Sequence, residues 1–466
     1  MDKPVENKPT RVPFAATPVG EPPSPRMWAN PSVWTERMLT TLEAGVRGGR
    51  WHTLIDKVFA MSTLQDAAAR VLANEGAAGV DHVSTRAFGR RQDRELDQLA
   101  QRLKNGTYRP QAIRRHWIKK LGSKEMRPLG IPTVVDRVVQ TALLSVIEPI
   151  FDHEFHERSY GFRHGRGCRH ALEQVETLLD QGYTWTVDAD LKSYFDTIPH
   201  DKLLDLVREK VSDRRILSLI EQFLHQGVLE ELKQWTPEEG TPQGAVISPL
   251  LANLYLNELD HTLVKAGFEL VRYADDFVIL CRTRDDAERA LALVQQWTAA
   301  RCLTLHPTKT KIVDAETEGF DFLGYTFRGR LRLPRAKSLD KFRSALRAQT
   351  KRTRSGNMHF IVASLNQTLR GWFTYFRYSW PTVFVAEDQR LRTRLRTLLR
   401  KRRGRRGIAK GADHQRWPNA YFHDLGLYSL TAAHRSFSQS CQGKTINRKA
   451  GCGKSASPVW REGRPN

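Results

Sequence analysis

The stretch Phe268-Glu269-Leu270-Val271-Arg272-Tyr273-Ala274-Asp275-Asp276-Phe277-Val278-Ile279-Leu280 sets two adjacent carboxylates in the middle of an apolar run. Ionised carboxylates between β-prone segments are unfavourable unless something positive neutralises them. The residues on either side favour strands, and Asp275-Asp276 reads as a tight turn joining them. Such a hairpin would carry two carboxylates on a rigid tip, suited to Mg²⁺. An acidic surface hairpin with no ligand fits the same residues, and the segment alone leaves both readings open.

A second acidic strand lies upstream, Thr184-Trp185-Thr186-Val187-Asp188-Ala189-Asp190-Leu191-Lys192-Ser193-Tyr194-Phe195-Asp196. Strand alternation puts Asp188 and Asp190 on one face and Val187 and Ala189 on the other. Adjacent strands lie roughly 5 Å apart, so Asp190 would face Asp275 across two metal ions about 4 Å apart. That pairing suits phosphoryl transfer, in which one oxygen attacks while another leaves.

The chain has 466 residues and a formal net charge of +23, a length sufficient for two to four domains. So large a positive charge favours a polyanionic partner, nucleic acid first among them, through counterion release. No segment is long and apolar enough to span a bilayer, and no secretory leader pattern opens the chain. The expectation is a cytoplasmic protein associated with the nucleoid. Cys168, Cys281, Cys302, Cys441 and Cys452 form no CxxC pair, which argues against a zinc ribbon or a disulfide framework.

Along the chain, residues 1–30 are rich in Pro and polar residues and read as a disordered tail. Helical patterns cover Val33 to about Gly49, Leu64 to Asn74, Gln92 to Lys104 and Asp136 to Ile150, with short strands around Ile113 to Lys119. Residues 183 to about 330 alternate strand and helix, an α+β or α/β core. Beyond about 335 the chain turns helical and basic, ending in a second disordered tail over 438–466.

Seven blocks in this order resemble a bacterial group II intron-encoded reverse transcriptase/maturase. They are Gly76-Ala77-Ala78-Gly79-Val80-Asp81; Arg127-Pro128-Leu129-Gly130-Ile131-Pro132 with Asp136-Arg137 and Gln140; and Ser159-Tyr160-Gly161-Phe162-Arg163 with Gly165-Arg166. Asp190-Leu191-Lys192 through Phe195-Asp196 follows, then Gly240-Thr241-Pro242-Gln243-Gly244 with Ser248-Pro249-Leu250, then Tyr273-Ala274-Asp275-Asp276. Leu305, Pro307, Lys309-Thr310 and Phe322-Leu323-Gly324-Tyr325 close the series.

The resemblance implies an α+β right-hand polymerase, with an antiparallel catalytic sheet followed by an α-helical thumb/maturase domain. The divisions it suggests are an N-terminal extension with fingers over 31–182, a palm over 183–332 and the helical domain over 333–437. It implies RNA-directed DNA synthesis and assistance to intron splicing. The partners would be intron RNA, an RNA template with a DNA primer, deoxynucleoside triphosphates and target DNA; a homodimer stays open. Two Mg²⁺ ions would be held by Asp190, Asp275 and the Leu191 carbonyl, with Asp276 a weaker or outer ligand. Phe195, five residues after Asp190, would lie under the incoming sugar and exclude a 2′-hydroxyl. Lys120 (with Lys119 the alternative) and Arg127 would reach the triphosphate. Gln243-Gly244 would pack against the nucleotide, and Lys309 would balance the carboxylates behind the hairpin, a plain surface lysine being the alternative.

Farther on, Leu391, Leu395, Leu398 and Leu399 fall on one helical stripe. Around it lie Arg390, Arg392, Arg394, Arg396, Arg400, Lys401, Arg402 and Arg403, which read as an RNA-binding face because like charges so dense need a counter-ion. The aromatics of Leu369-Arg370-Gly371-Trp372-Phe373-Thr374-Tyr375-Phe376 read as thumb core. Many relatives carry an endonuclease module with paired zinc-binding cysteines, and Cys441 and Cys452 are too few and too far apart for it. The expectation is therefore no bottom-strand cleavage, with priming from a nascent strand. Two other roles stay open: a domesticated enzyme of DNA repair or phage defence, and a pure RNA-folding maturase, against which the intact aspartates speak.

Overall fold

Thr133 begins the helix on which the first part of the molecule is built. Its hydroxyl accepts from the Asp136 N–H at 3.1 Å, an N-cap that starts the Val134–Asp152 helix two residues before the expected Asp136. This helix is buried over most of its length, through Val138, Val139, Ala142, Leu143, Val146 and Ile147. The computed structural model describes residues 25–46, 48–119, 126–230, 233–242 and 244–439. Of the expected features, Lys120, Gln243, Cys441, Cys452 and most of both tails lie outside those residues.

The chain divides into two compact units, Met1–Leu323 and Gly324–Asn466. Strands of the first unit are β1 (Ile113–Lys119), β2 (Met126–Ile131), β3 (Trp185–Asp190), β4 (Val228–Glu230) and β5 (Lys233–Trp235). They continue with β6 (Glu269–Tyr273), β7 (Asp276–Cys281), β8 (Lys311–Asp314) and β9 (Phe320–Phe322). One four-stranded sheet has the order β2-β1-β4-β5, the other β6-β7-β3-β8. In the second sheet every pairing is antiparallel.

The expected helices form, with ends set by local chemistry. Gln92–Lys104 has the expected bounds. The one expected from Val33 to about Gly49 is shorter, Glu36–Ala44, because Thr35 caps its start and Gly45 at φ +85° ends it. The Gly76–Asp81 loop docks on the start of the Val134–Asp152 helix: a Cβ at Gly79 would lie 2.6 Å from Thr133 Cα, so only glycine fits. From that helix Asp136 takes hydrogen bonds from Tyr108 Oη (2.6 Å), Gln226 Nε2 (3.1 Å) and the Gln111 N–H (3.2 Å). One helical turn on, Gln140 Oε1 accepts the Val246 N–H at 2.7 Å and so fixes the loop that enters the Ser248–Lys265 helix.

The second unit opens with a hairpin of β10 (Tyr325–Arg328) and β11 (Leu331–Pro334). Helices Ala336–Gln349, Met358–Phe376 and Pro381–Arg402 follow, then two short helices and a helical stretch over 430–439. The predicted leucine stripe is the inner face: Leu391, Leu395, Leu398 and Leu399 are buried against Phe342, Leu346, Ile361, Leu365 and Phe373. Each buried side chain of this kind stabilises the unit by roughly 1.5–3 kcal/mol. Of the aromatics expected as thumb core, Phe373 and Trp372 belong to this cluster, Trp372 stacking on Phe342 with ring centroids 4.2 Å apart, whereas Tyr375 is exposed.

Asp388 caps the stretch over 430–439 from the buried side. It accepts from Ser429 Oγ at 2.8 Å and from the N–H groups of Leu430 and Thr431, both at 3.1 Å. Asp388→Ala strands these donors, and equilibrium urea unfolding of the second unit should record a loss of roughly 2–3 kcal/mol.

Candidate active site

In the central sheet β3 and β7 run antiparallel with Asp190 opposite Asp276 and Asp188 opposite Val278. Cross-strand partners share a face, so Asp188, Asp190 and Asp276 lie together. Val187, Ala189, Phe277 and Ile279 fill the other face and are fully buried. This alternation is the one read from the sequence. The turn differs by one residue. Tyr273 pairs with Asp276 as the ends of β6 and β7, so the turn is Ala274-Asp275 and Asp276 is already strand. Asp190 therefore stands in register with Asp276, and Asp275 occupies the tip beside them.

The turn takes this form because Ala274 adopts φ +59°, a left-handed conformation unfavourable for a residue with a side chain. Arg272 holds it there. The guanidinium is completely buried, and its Nη1 donates to the Ala274 carbonyl at 3.0 Å. The same Nη1 donates to Asn253 Oδ1 at 2.9 Å, while Nε and Nη2 reach the two oxygens of Asp260 at 2.7 and 2.5 Å. Asn253 and Asp260 both come from the Ser248–Lys265 helix. The Arg272 carbonyl accepts the Tyr160 N–H at 2.9 Å, and Asn253 Nδ2 donates to the Gly161 carbonyl at 2.8 Å. A Cβ on Gly161 would lie 2.4 Å from the Ala274 nitrogen. The Ser159-Tyr160-Gly161 block thus braces the hairpin tip, a role invisible in the sequence.

The clustered carboxylates act on one another. Burial, and then the charge of Asp190, hold the Asp275 carboxyl above its usual range, while Arg127 and Arg272 draw it down. Burial, then Asp188 and Asp275, push Asp276 up to about 7. Crowded carboxylates of this kind offer only hard oxygen donors, the set that suits Mg²⁺ or Mn²⁺, and the residues fit such ions. Lys309 supplies one positive charge, with Nζ 2.5 Å from Asp190 Oδ2. Its loop is hung on the same strand: the His306 N–H donates to the Asp190 carbonyl at 2.7 Å and the Lys192 N–H to the Thr304 carbonyl at 2.8 Å. Leu191 is buried and bridges to Leu305.

Around this cluster the other candidates take their places. Phe195 is half-buried on the turn after β3, and its carbonyl accepts the Thr241 N–H at 2.6 Å. Gly240 abuts the Asp196 backbone, where a Cβ would lie within 2.8 Å. Gly244, at φ +108°, lies against the Gly130 carbonyl, where a Cβ would come within 2.4 Å. Arg127 is exposed on β2, near enough for its charge to act on Asp275.

In the second unit the basic run divides. Arg396 is buried, donating to the Trp417 carbonyl and Asn419 Oδ1, each at 2.8 Å. Arg400 pairs with Asp413 at 2.7 Å, Arg402 donates to the Gly356 carbonyl at 2.8 Å, and Arg392 lies 4.0 Å from Asp388. Only Arg400 and, at the ion-pair limit, Arg392 thus meet a carboxylate here; Arg396 and Arg402 donate to neutral oxygens that leave their charge unanswered, while Arg390 of the same run lies 3.5 Å from Glu387.

Residues 118–327 match the family described as "Reverse transcriptase (RNA-dependent DNA polymerase)", and residues 339–417 match "Group II intron, maturase-specific domain". Protein YkfC of Escherichia coli (strain K12) is 34% identical over 337 residues, spanning 62% of this chain and 86% of YkfC. The chain belongs to the group II intron reverse transcriptase/maturase family. The group II intron-encoded protein LtrA of Lactococcus lactis subsp. cremoris is 41% identical over 180 residues, 39% of this chain and 30% of LtrA. An uncharacterized 91 kDa protein in a cob intron of Schizosaccharomyces pombe is 32% identical over 288 residues, 49% of this chain and 35% of that protein. Among the described residues of this group II intron reverse transcriptase/maturase, no helix is long and apolar enough to cross a membrane.

Removing one partner of the buried Arg272–Asp260 pair leaves an uncompensated charge, and Arg272→Ala should lose roughly 3–5 kcal/mol in denaturant unfolding. The carboxylates give a pH signature. Asp276 is raised to about 7 in the folded chain, against roughly 3.9 when unfolded. The unfolded state therefore ionises first, and the metal-free protein loses stability as pH rises from about 4 to 7, on the order of 4 kcal/mol in all. Asp276→Asn should raise the metal-free melting temperature at pH 8. In the parent, Mg²⁺ should raise it more at pH 8 than at pH 5.

Proposed function

We propose that this chain is an RNA-directed DNA polymerase that also binds group II intron RNA, assists its splicing and copies it into DNA. The observation that carries the reading is the β3–β7 register, which sets Asp190 beside Asp276 with Asp275 at the adjoining turn. Asp190, Asp275 and the Leu191 carbonyl would hold two Mg²⁺ ions, with Asp276 as the outer carboxylate. Bound there, the ions supply the positive charge that eases deprotonation of a primer 3′-hydroxyl and neutralises the departing pyrophosphate.

The protein groups bind and orient. Arg127 and Lys120 take the triphosphate of a deoxynucleoside triphosphate. Phe195 and the turn at Gly240-Thr241, joined by the Phe195–Thr241 hydrogen bond, form the floor of the sugar pocket, and Gln243 would contact the nucleotide. Lys309 holds the Asp190 carboxylate in place through its 2.5 Å contact. The match to the maturase-specific domain over 339–417 favours an intron-associated role over a domesticated one. On the same ground the partners are intron RNA, the RNA template with its DNA primer, and target DNA.

Primer extension on an RNA template tests this reading. Asp275→Ala should lower the rate about 10³-fold or more, the equivalent of several kcal/mol of lost charge stabilisation. Equal rates would remove the carboxylates from the chemistry. Phe195→Ala should raise incorporation of ribonucleotides relative to deoxynucleotides by roughly 10-fold or more, read in single-nucleotide addition.

A further inference from the structure

In the second unit, helices Ala336–Gln349 and Pro381–Arg402 enclose an open groove. Arg343, Arg347, Thr350 and Arg352 line one side of it, Arg390 and Arg394 the other. Its acids are already engaged. Buried Glu387 takes two hydrogen bonds from Arg343, at 2.9 and 2.6 Å, and lies 3.5 Å from Arg390, while Asp340 lies 4.0 Å from Arg343. Arg347, Arg352 and Arg394 are left with no carboxylate at ion-pair distance among the described residues.

Arg394 is held in a fixed pose. Its Nε donates to Thr350 Oγ1 at 2.7 Å and its Nη2 to the Arg347 carbonyl at 3.3 Å. Burial, then the charges of Arg347 and Arg352, push its guanidinium below the usual range. Three guanidinium groups gathered without an acid repel one another unless an anion sits among them. Their planar forks match phosphate oxygens in pairs, and a row of them matches a chain of phosphates better than a single ion.

We propose that this groove is a cradle for the sugar–phosphate backbone of RNA, contacted by Arg347, Arg352 and Arg394. The inference rests on the reading that the second unit binds intron RNA, and it moves the contact surface from one helix to a groove between two. Arg347 and Arg352 lie outside the basic run at 390–403 and enter only through the packing of the helices.

The test is the affinity of the full chain for an RNA duplex of about 20 base pairs over a KCl series. Each phosphate contact contributes about 0.9 to the log–log salt slope. Arg347→Gln/Arg394→Gln should therefore lower the slope by about 2 and the affinity at physiological salt by roughly 10–100-fold. Arg352→Gln, on an exposed loop, should lower the slope by about 1 with unchanged melting temperature. Arg416→Gln/Arg435→Gln removes the same charge at exposed positions off the groove and should leave the slope near that of the parent. A parental slope in both groove variants overturns the cradle and leaves RNA binding intact, whereas a parent that binds RNA with no salt dependence overturns the underlying reading. Displacement of the RNA by polyglutamate as readily as by unlabelled RNA would assign the groove to acidic proteins and likewise overturn the proposal.

Discussion

Everything at the hairpin tip depends on one buried ion pair. Arg272 and Asp260 are both fully shielded from solvent, yet their five polar termini are matched, Nη1 by Asn253 and the Ala274 carbonyl, the rest by each other. A buried pair is seldom a net gain over an apolar one, because desolvating both ions costs several kcal/mol. Here the pair sets geometry. It fixes the left-handed Ala274, and with it the place of Asp275, from a long helix that cannot shift without exposing its apolar faces. An apolar substitute of equal volume could fill the space without holding the Ala274 carbonyl.

The same rigidity forces the carboxylates together against their mutual repulsion. Asp188, Asp190, Asp275 and Asp276 would spread if the sheet allowed it, and burial favours the protonated form of Asp275 and Asp276. The upward displacement of Asp275 and Asp276 records that tension. Lys309 relieves part of it, and its loop is tied to the backbone of Asp190 and Lys192, so the cation travels with the carboxylate it serves. Carboxylates held together in this way lower the stability of the folded chain once Asp276 ionises.

Much of this was legible in the sequence, and the failures have a common cause. Period-2 alternation placed Asp188 and Asp190 on one face, and the leucine spacing found the buried stripe of the Pro381–Arg402 helix, because both follow from local geometry. Asp275-Asp276 reads as a turn from composition alone, one residue later than the true turn, which depends on a hydrogen bond from Arg272. Arg272 itself gave no signal: an arginine in an apolar strand has no meaning until Asp260 and Asn253 arrive from another element. Gly161 and Gly79 were visible as glycines, but the backbone that excludes a Cβ at each lies far away in sequence.

The charge of the second unit makes the same point in energetic terms. Net charge points to a polyanionic partner, since +23 cannot be answered within the chain. It does not say which arginines remain available. Arg394 and Arg396 are two residues apart on one helix, yet Arg396 is committed to Trp417 and Asn419 while Arg394 opens onto a groove beside Arg347. Successive positions on a helix point about 100° apart, so a uniformly basic run must divide between core-facing and solvent-facing roles once the leucine stripe is docked. The stripe therefore decides which cations face outward, and hydrophobic packing sets the electrostatic surface.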